Sequence, residues 1–164
     1  MNKRTNFKKW LLIIGVPILV VALIIGIMYN NAQKPYEKEK ATAVQKVKEK
    51  AALTEVEEVY LYKSTDVFYA ATGKDENGKN VAVWIAQDGK SEPIIKPLDT
   101  GVTEKEARTL FKKEAGNAEI LSLTLGIEKE TPVWLFTFEN EKGNLNYYYL
   151  SFTNGKWWRK IENI

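Results

Sequence analysis

Twenty consecutive residues without a charge, Trp10 to Tyr29, constrain this chain more than any other feature in it. At about 1.5 Å rise per residue, such a run makes a helix roughly 30 Å long, the thickness of a bilayer's hydrocarbon core. Lys3, Arg4, Lys8 and Lys9 precede it with no acid among them. That is the basic flank that stays cytoplasmic, so the expected topology is N-terminus in and the remainder outside the cell. Lys34, Lys38, Lys40, Lys46 and Lys48 on the far side work against that bias. A secretory leader shares the basic-then-apolar pattern, but its apolar stretch runs about 7 to 15 residues and ends in a small-residue cleavage site. Here Asn30-Asn31-Ala32-Gln33 follow a longer run, which fits an uncleaved anchor better. Trp10 and Tyr29 stand at its two ends, where amphipathic rings settle among headgroups, and Pro17 should add a mild kink.

Of 164 residues, 135 lie beyond Tyr29, enough for one domain or two very small ones. The chain has no Cys and no His. This excludes disulfides, a cysteine-borne lipid, zinc-finger or His-ligated metal sites, a Cys nucleophile and a Ser-His-Asp triad. Residues 30–164 carry 20 Lys+Arg against 21 Asp+Glu, because four of the 24 cations precede the anchor and all acids follow it. The positive balance of the whole chain therefore belongs to the anchor's flank. No concentrated basic face of the kind that binds nucleic acid is visible.

After Pro35, the stretch from Tyr36 to Leu53 is rich in Lys, Glu and Ala, and Tyr36, Ala43, Val44, Val47 and Ala51 share one side of a helical wheel. A helix starting at Pro35 is expected, packed on a sheet or standing as a solvated stalk. Short β-prone runs follow at Val56–Tyr62, Val67–Thr72, Val81–Ala86 and Pro93–Lys96, separated by Asn77-Gly78 and Asp88-Gly89 hairpin signals. Leu98 to Val102 reads as a linker. Thr103-Glu104-Lys105-Glu106 is a capping box that opens a second helix, with Ala107, Leu110, Phe111 and Ala115 as its buried stripe and Gly116-Asn117 as its stop. Four more strands are expected at Glu119–Ile127, Val133–Glu139, Leu145–Phe152 and Lys156–Ile161.

Laid side by side, VFYAATGKDENGKNVAVWIAQDGK (67–90) matches VWLFTFENEKGNLNYYYLSFTNGK (133–156) in the order of strands and glycine turns. The chain therefore reads as a duplicated unit, each copy a helix followed by an antiparallel meander. The fold class is α+β, divided as a basic tail 1–9, an anchor 10–29, a first domain 30–97 and a second domain 98–164. Four of five Trp and seven of eight Tyr lie beyond the anchor. Alternation puts Trp134, Phe136 and Phe138 on one face of the second sheet, with Leu135 on the other beside Tyr147 and Tyr149. One helix covers one face, so the other must meet the sister repeat, a partner protein or a polymer. Leu135, Tyr147, Tyr149 and Trp157 are the candidate partner-binding residues. Catalytic signals are absent: Glu57 and Glu58 should point to opposite faces of a strand, Asp75 and Glu76 sit in a turn, and no Ser-x-x-Lys motif, phosphate loop or calcium loop occurs. No cofactor or metal is expected.

The order of these features, from the anchor and the Lys/Glu/Ala-rich helix through the Thr103 helix to YYYLSFTNGKW, resembles the TseB-like cell wall elongation regulators of Gram-positive bacteria. The C-terminal half also resembles a PepSY-type unit. The resemblance implies a single transmembrane helix followed by two tandem PepSY/cystatin-like units outside the cell. It also implies a non-enzymatic regulator that binds an elongation-specific penicillin-binding transpeptidase. Binding of peptidoglycan or teichoic acid, and protease inhibition or chaperoning of the PepSY kind, are the rival readings.

Overall fold

The computed structural model describes residues 3–116 and 118–162, so the expected helix stop at Asn117 and the outermost ends of the tail and second domain lie outside the described residues. One helix, α1 (Lys3–Ala51), includes both Pro17 and Pro35. The expected helix start at Pro35 is therefore corrected: the chain does not break there. A proline inside a helix removes one N–H and crowds the carbonyl four residues back. Ala32, Gln33, Lys34, Glu37 and Lys38 around Pro35 are strong helix formers, and no turn-forming pair accompanies the proline.

The chain divides into two compact bodies between Glu39 and Lys40. The first is the N-terminal part of α1. Its apolar window has a mean hydropathy of 2.4, is buried nowhere and is long enough to cross a membrane, as in a single-pass membrane protein. Tyr36, expected on the sheet-facing stripe, belongs to this body and is 51% exposed.

The second body begins with the end of α1 and holds two sheets. The first sheet is formed by β1 (Glu55–Lys63), β2 (Val67–Lys74), β3 (Asn80–Ala86) and β4 (Ile94–Pro97), in that spatial order and antiparallel throughout. A 3₁₀ turn at Leu98–Thr100 and helix α2 (Glu104–Ala115) lead to the second sheet, β5 (Glu119–Glu128), β6 (Thr131–Glu139), β7 (Leu145–Ser151) and β8 (Trp157–Ile161), ordered likewise. Thr103 caps α2 with the complete capping box: its hydroxyl accepts from the Glu106 N–H while Glu106 accepts from the Thr103 N–H. Gly78 and Gly143 occupy the left-handed region at φ 75° and 78° in their hairpin turns, a conformation that glycine adopts without steric cost.

Strand register makes the duplication residue-specific. Lys74 and Asn80 bracket the first hairpin turn as Glu139 and Leu145 bracket the second, so equivalent positions lie 65 residues apart, as Gly78 and Gly143 do. Aligning Val67 with Val133 is thus one residue out; Phe68 is the counterpart of Val133. The opening strands match as well. An extra residue interrupts the β1–β2 ladder between Val56 and Glu58, and another interrupts the β5–β6 ladder between Ile120 and Ser122. The bulge at Glu57 breaks the alternation expected there, and Glu57 and Glu58 are both exposed rather than facing into any cleft.

Each helix covers the equivalent face of its own sheet. Ala43, Val47 and Ala51 of α1, with Leu53, bury against Val59, Tyr69, Ala71, Val81, Val83 and Ile85. Phe111 of α2 stacks on Phe136 at 4.4 Å between centroids and meets Phe138 and Tyr148 edge-on. The small residues of α1 let it lie close on the sheet, whereas α2 reaches its sheet through one large ring.

Candidate partner-binding face

The opposite face of the first sheet carries Tyr60, Phe68, Ala70, Ala82 and Trp84, and it packs into the same core as Trp134, Leu125 and Phe152 of the second repeat. Trp84 meets Phe152 edge-on at 5.2 Å, and Tyr60 meets Trp134 likewise at 5.7 Å. Tyr60 also donates to Glu104 at 3.1 Å, and burial, with that carboxylate second, pushes its phenol well above the usual range. The helix-bearing face of the second sheet is therefore shared between α2 and the first sheet.

Among the described residues, the second sheet's other face has no such cover. Cross-strand pairing sets Thr124, Leu135, Tyr149 and Arg159 in one row, Ser122, Thr137, Tyr147 and Ile161 in the next, and Gly126, Val133 and Ser151 in a third. Leu135, Thr137, Tyr147 and Ile161 are half-buried, and Leu121, pushed out by the bulge, is 50% exposed. Only the Gly126 end is roofed. There the Tyr62 ring of β1 lies so near that a Cβ on Gly126 would sit 2.2 Å from its Cδ2, an approach only glycine permits.

A buried polar cluster fixes that end. The Glu128 carboxylate, itself buried, accepts from the Tyr62 hydroxyl and from Ser64 Oγ at 2.8 Å. Its other oxygen lies 3.7 Å from Arg159 Nη1. Burial first, and then the bond to Glu128, push the Tyr62 phenol far up. Arg159 donates through Nη2 to Tyr149 at 3.0 Å and stacks on the Tyr149 ring at 4.5 Å; that hydrogen bond is the main cause raising its pKa further. One buried carboxyl group thus joins the two repeats beside the arginine that lies over the aromatic face.

Three of the four candidate residues come together. Leu135 pairs directly with Tyr149, and Tyr147 stands in the adjoining row. Tyr149, only 5% exposed beneath Arg159, supports the face more than it presents itself. Trp157 is set apart: it pairs with Leu150, whose side chain belongs to the helix-bearing side, and it stands exposed on an edge strand. Sequence reasoning passed over Tyr62, Glu128 and Arg159. A glycine inside the run LTLGIE was the available signal, since glycine within a strand marks a close approach.

Comparison with known proteins agrees with this architecture. The model of the cell wall elongation regulator TseB-like domain matches residues 42–86, from the end of α1 through β3. A curated relative, the probable cell wall elongation regulator TseB of Bacillus subtilis (strain 168), is 26% identical over 144 residues, covering 88% of this chain and 89% of its own. The solved structure of the YpmB protein from Bacillus subtilis superposes with a TM-score of 0.65 at 24% identity, covering 74% of this chain and 95% of that one. The chain is similar to TseB-like proteins in sequence and to YpmB in fold. Both the matching family and the curated relative are described as regulators of cell wall elongation. The YpmB likeness speaks to the fold, and the TseB likeness links the chain to cell wall elongation.

Proposed function

We propose that this TseB-like chain is a membrane-anchored regulator of cell wall elongation that binds an elongation-specific penicillin-binding transpeptidase through the open face of its second sheet. The basic flank puts the N-terminus in the cytoplasm and residues 30–164 outside. The outer part is organised as tandem PepSY/cystatin-like domains, 30–97 and 98–164. The observation that carries the proposal is the missing cover: the face bearing Leu135 and Tyr147 is filled by the sister repeat in the first sheet and left open in the second. Apolar and aromatic side chains around a rigid, pre-formed sheet are what binding hot spots use. Anchoring both partners in one membrane raises their effective concentration, so a modest interface is occupied.

The test is a photo-crosslinking residue at Tyr147 in living cells, with a control at Asn77 in the exposed hairpin turn, and mass spectrometry of the adducts. A transpeptidase captured from Tyr147 and not from Asn77 is the expected result. Glycan adducts at Tyr147 would replace the proposal with wall-polymer binding, and equal capture from both positions would remove the face from consideration.

A further inference from the structure

Strand β8 carries an unusual combination. Lys156-Trp157-Trp158-Arg159-Lys160 runs along the outer edge of the second sheet, where β7 is its only strand neighbour among the described residues. A shift in the β7–β8 register between Tyr149 and Leu150 leaves Trp158 without a partner of its own and sets it beside Trp157. The two indoles are 61% and 40% exposed, whereas Trp84 and Trp134 are almost completely buried. Side chains of that size are rarely left to water without a use.

The neighbours decide which use. Aromatic residues at protein hot spots sit in charge-depleted patches, whereas this pair is bracketed by cations on both sides. Lys156 is exposed. Lys160 forms an ion pair with Glu162 at 2.6 Å, but both side chains are largely exposed, so the pair is weak and readily exchanged. Arg159 is 43% exposed beyond its contact with Tyr149. Indole rings flanked by lysine and arginine suit the boundary of an anionic bilayer: the rings settle at headgroup level and the cations meet lipid phosphates. This chain carries its own apolar anchor, and Lys40, where the second body begins, is only 11 residues beyond Tyr29. The body never leaves the neighbourhood of a membrane, so even a weak surface contact is populated.

We propose that β8 is a second, reversible membrane contact, with Trp157 and Trp158 seated among anionic lipid headgroups and Lys156 and Lys160 holding them there. The test uses the full chain carrying Trp10→Phe, so that no indole in the anchor reports. It is reconstituted in vesicles of phosphatidylcholine alone or mixed equally with phosphatidylglycerol, each with acyl chains brominated near the headgroup to quench indoles on contact. In anionic vesicles we expect about half of the emission to be lost, the share of two exposed indoles among four, with little loss in phosphatidylcholine. The double variant Lys156→Glu/Lys160→Glu, its fold checked by circular dichroism, should restore the emission while retaining both tryptophans. Emission unquenched in anionic vesicles, or quenched equally in both lipids, overturns the proposal. A photo-crosslinker at Trp158 that captures protein instead of lipid does the same.

Discussion

Ala82 and Tyr147 occupy equivalent places, opposite Thr72 in the first sheet and opposite Thr137 in the second. Ala82 is wholly buried; Tyr147 remains partly in solvent. Ala70 and Leu135, the next equivalent pair, repeat the contrast. Where the sister repeat presses on the first sheet, Ala70 and Ala82 are small enough to let it approach. Where nothing presses, the second sheet carries Leu135 and Tyr147, apolar bulk that no internal core requires. A duplicated scaffold therefore used one copy's surface to hold the pair together and freed the other's.

The helices give the largest expected difference between repeats. Phe111→Ala should cost about 3–5 kcal/mol, because one ring fills the space between α2 and three aromatic side chains. Its functional analogue, Val47→Ala, should cost about 2 kcal/mol, since α1 spreads its contacts over several small residues. Urea unfolding of the two variants, followed by near-ultraviolet circular dichroism, measures both, and equal losses would show that the helices anchor alike.

Swapping the paired positions comes next. Ala82→Tyr overfills a closed face and should destabilise by about 1–3 kcal/mol, whereas Tyr147→Ala should change stability by less than about 0.5 kcal/mol. A large loss from Tyr147→Ala would mean that the second face is internally packed after all.

The polar link between repeats is then probed by Tyr62→Phe, expected to cost about 1–3 kcal/mol because the buried Glu128 loses a donor. The phenols of Tyr60 and Tyr62 are raised above the ordinary value of 10.0 in the fold. Their contribution is complete below pH 10 and lost as pH climbs beyond it, so the thermal midpoint should fall on the alkaline side, and less so in the Phe variant.

The smallest effect belongs to α2's cap. Thr103→Ala should cost about 1 kcal/mol in the same urea titration. The Thr103 backbone N–H, with its hydroxyl second, holds the Glu106 carboxyl below its ordinary value of 4.5. That contribution is present above pH 4.5 and lost as pH falls through the folded value. The variant should accordingly show a flatter acid limb.

Local chemistry made most elements readable in the sequence. Every strand was expected within a residue or two of its place, because the Asn-Gly and Asp-Gly turns punctuate them, and Thr103 and Glu106 announced α2 through the bonds they make. Pro35 misled, since its penalty is local while the helix formers on both sides act over several turns. The candidate face was half readable. Alternation placed Leu135, Tyr147 and Tyr149 together, but it failed for Trp157, because a register shift in β7–β8 cannot be seen in one strand alone. The Tyr62–Glu128–Arg159 cluster joins residues far apart in the chain through packing between repeats, which no periodicity encodes.

The twin bulges of β1 and β5 carry a date. Such an insertion bends a strand and disrupts its ladder locally, and it is retained within families once acquired. Finding it at Glu57 and at Leu121, the matching place in both copies, means that the bend was already present when the gene for a single unit doubled. The open face, the arginine over Tyr149 and the tryptophan pair exist in one copy only, so the copies diverged there after the doubling. A single-unit relative whose first strand runs unbroken would reverse that order of events.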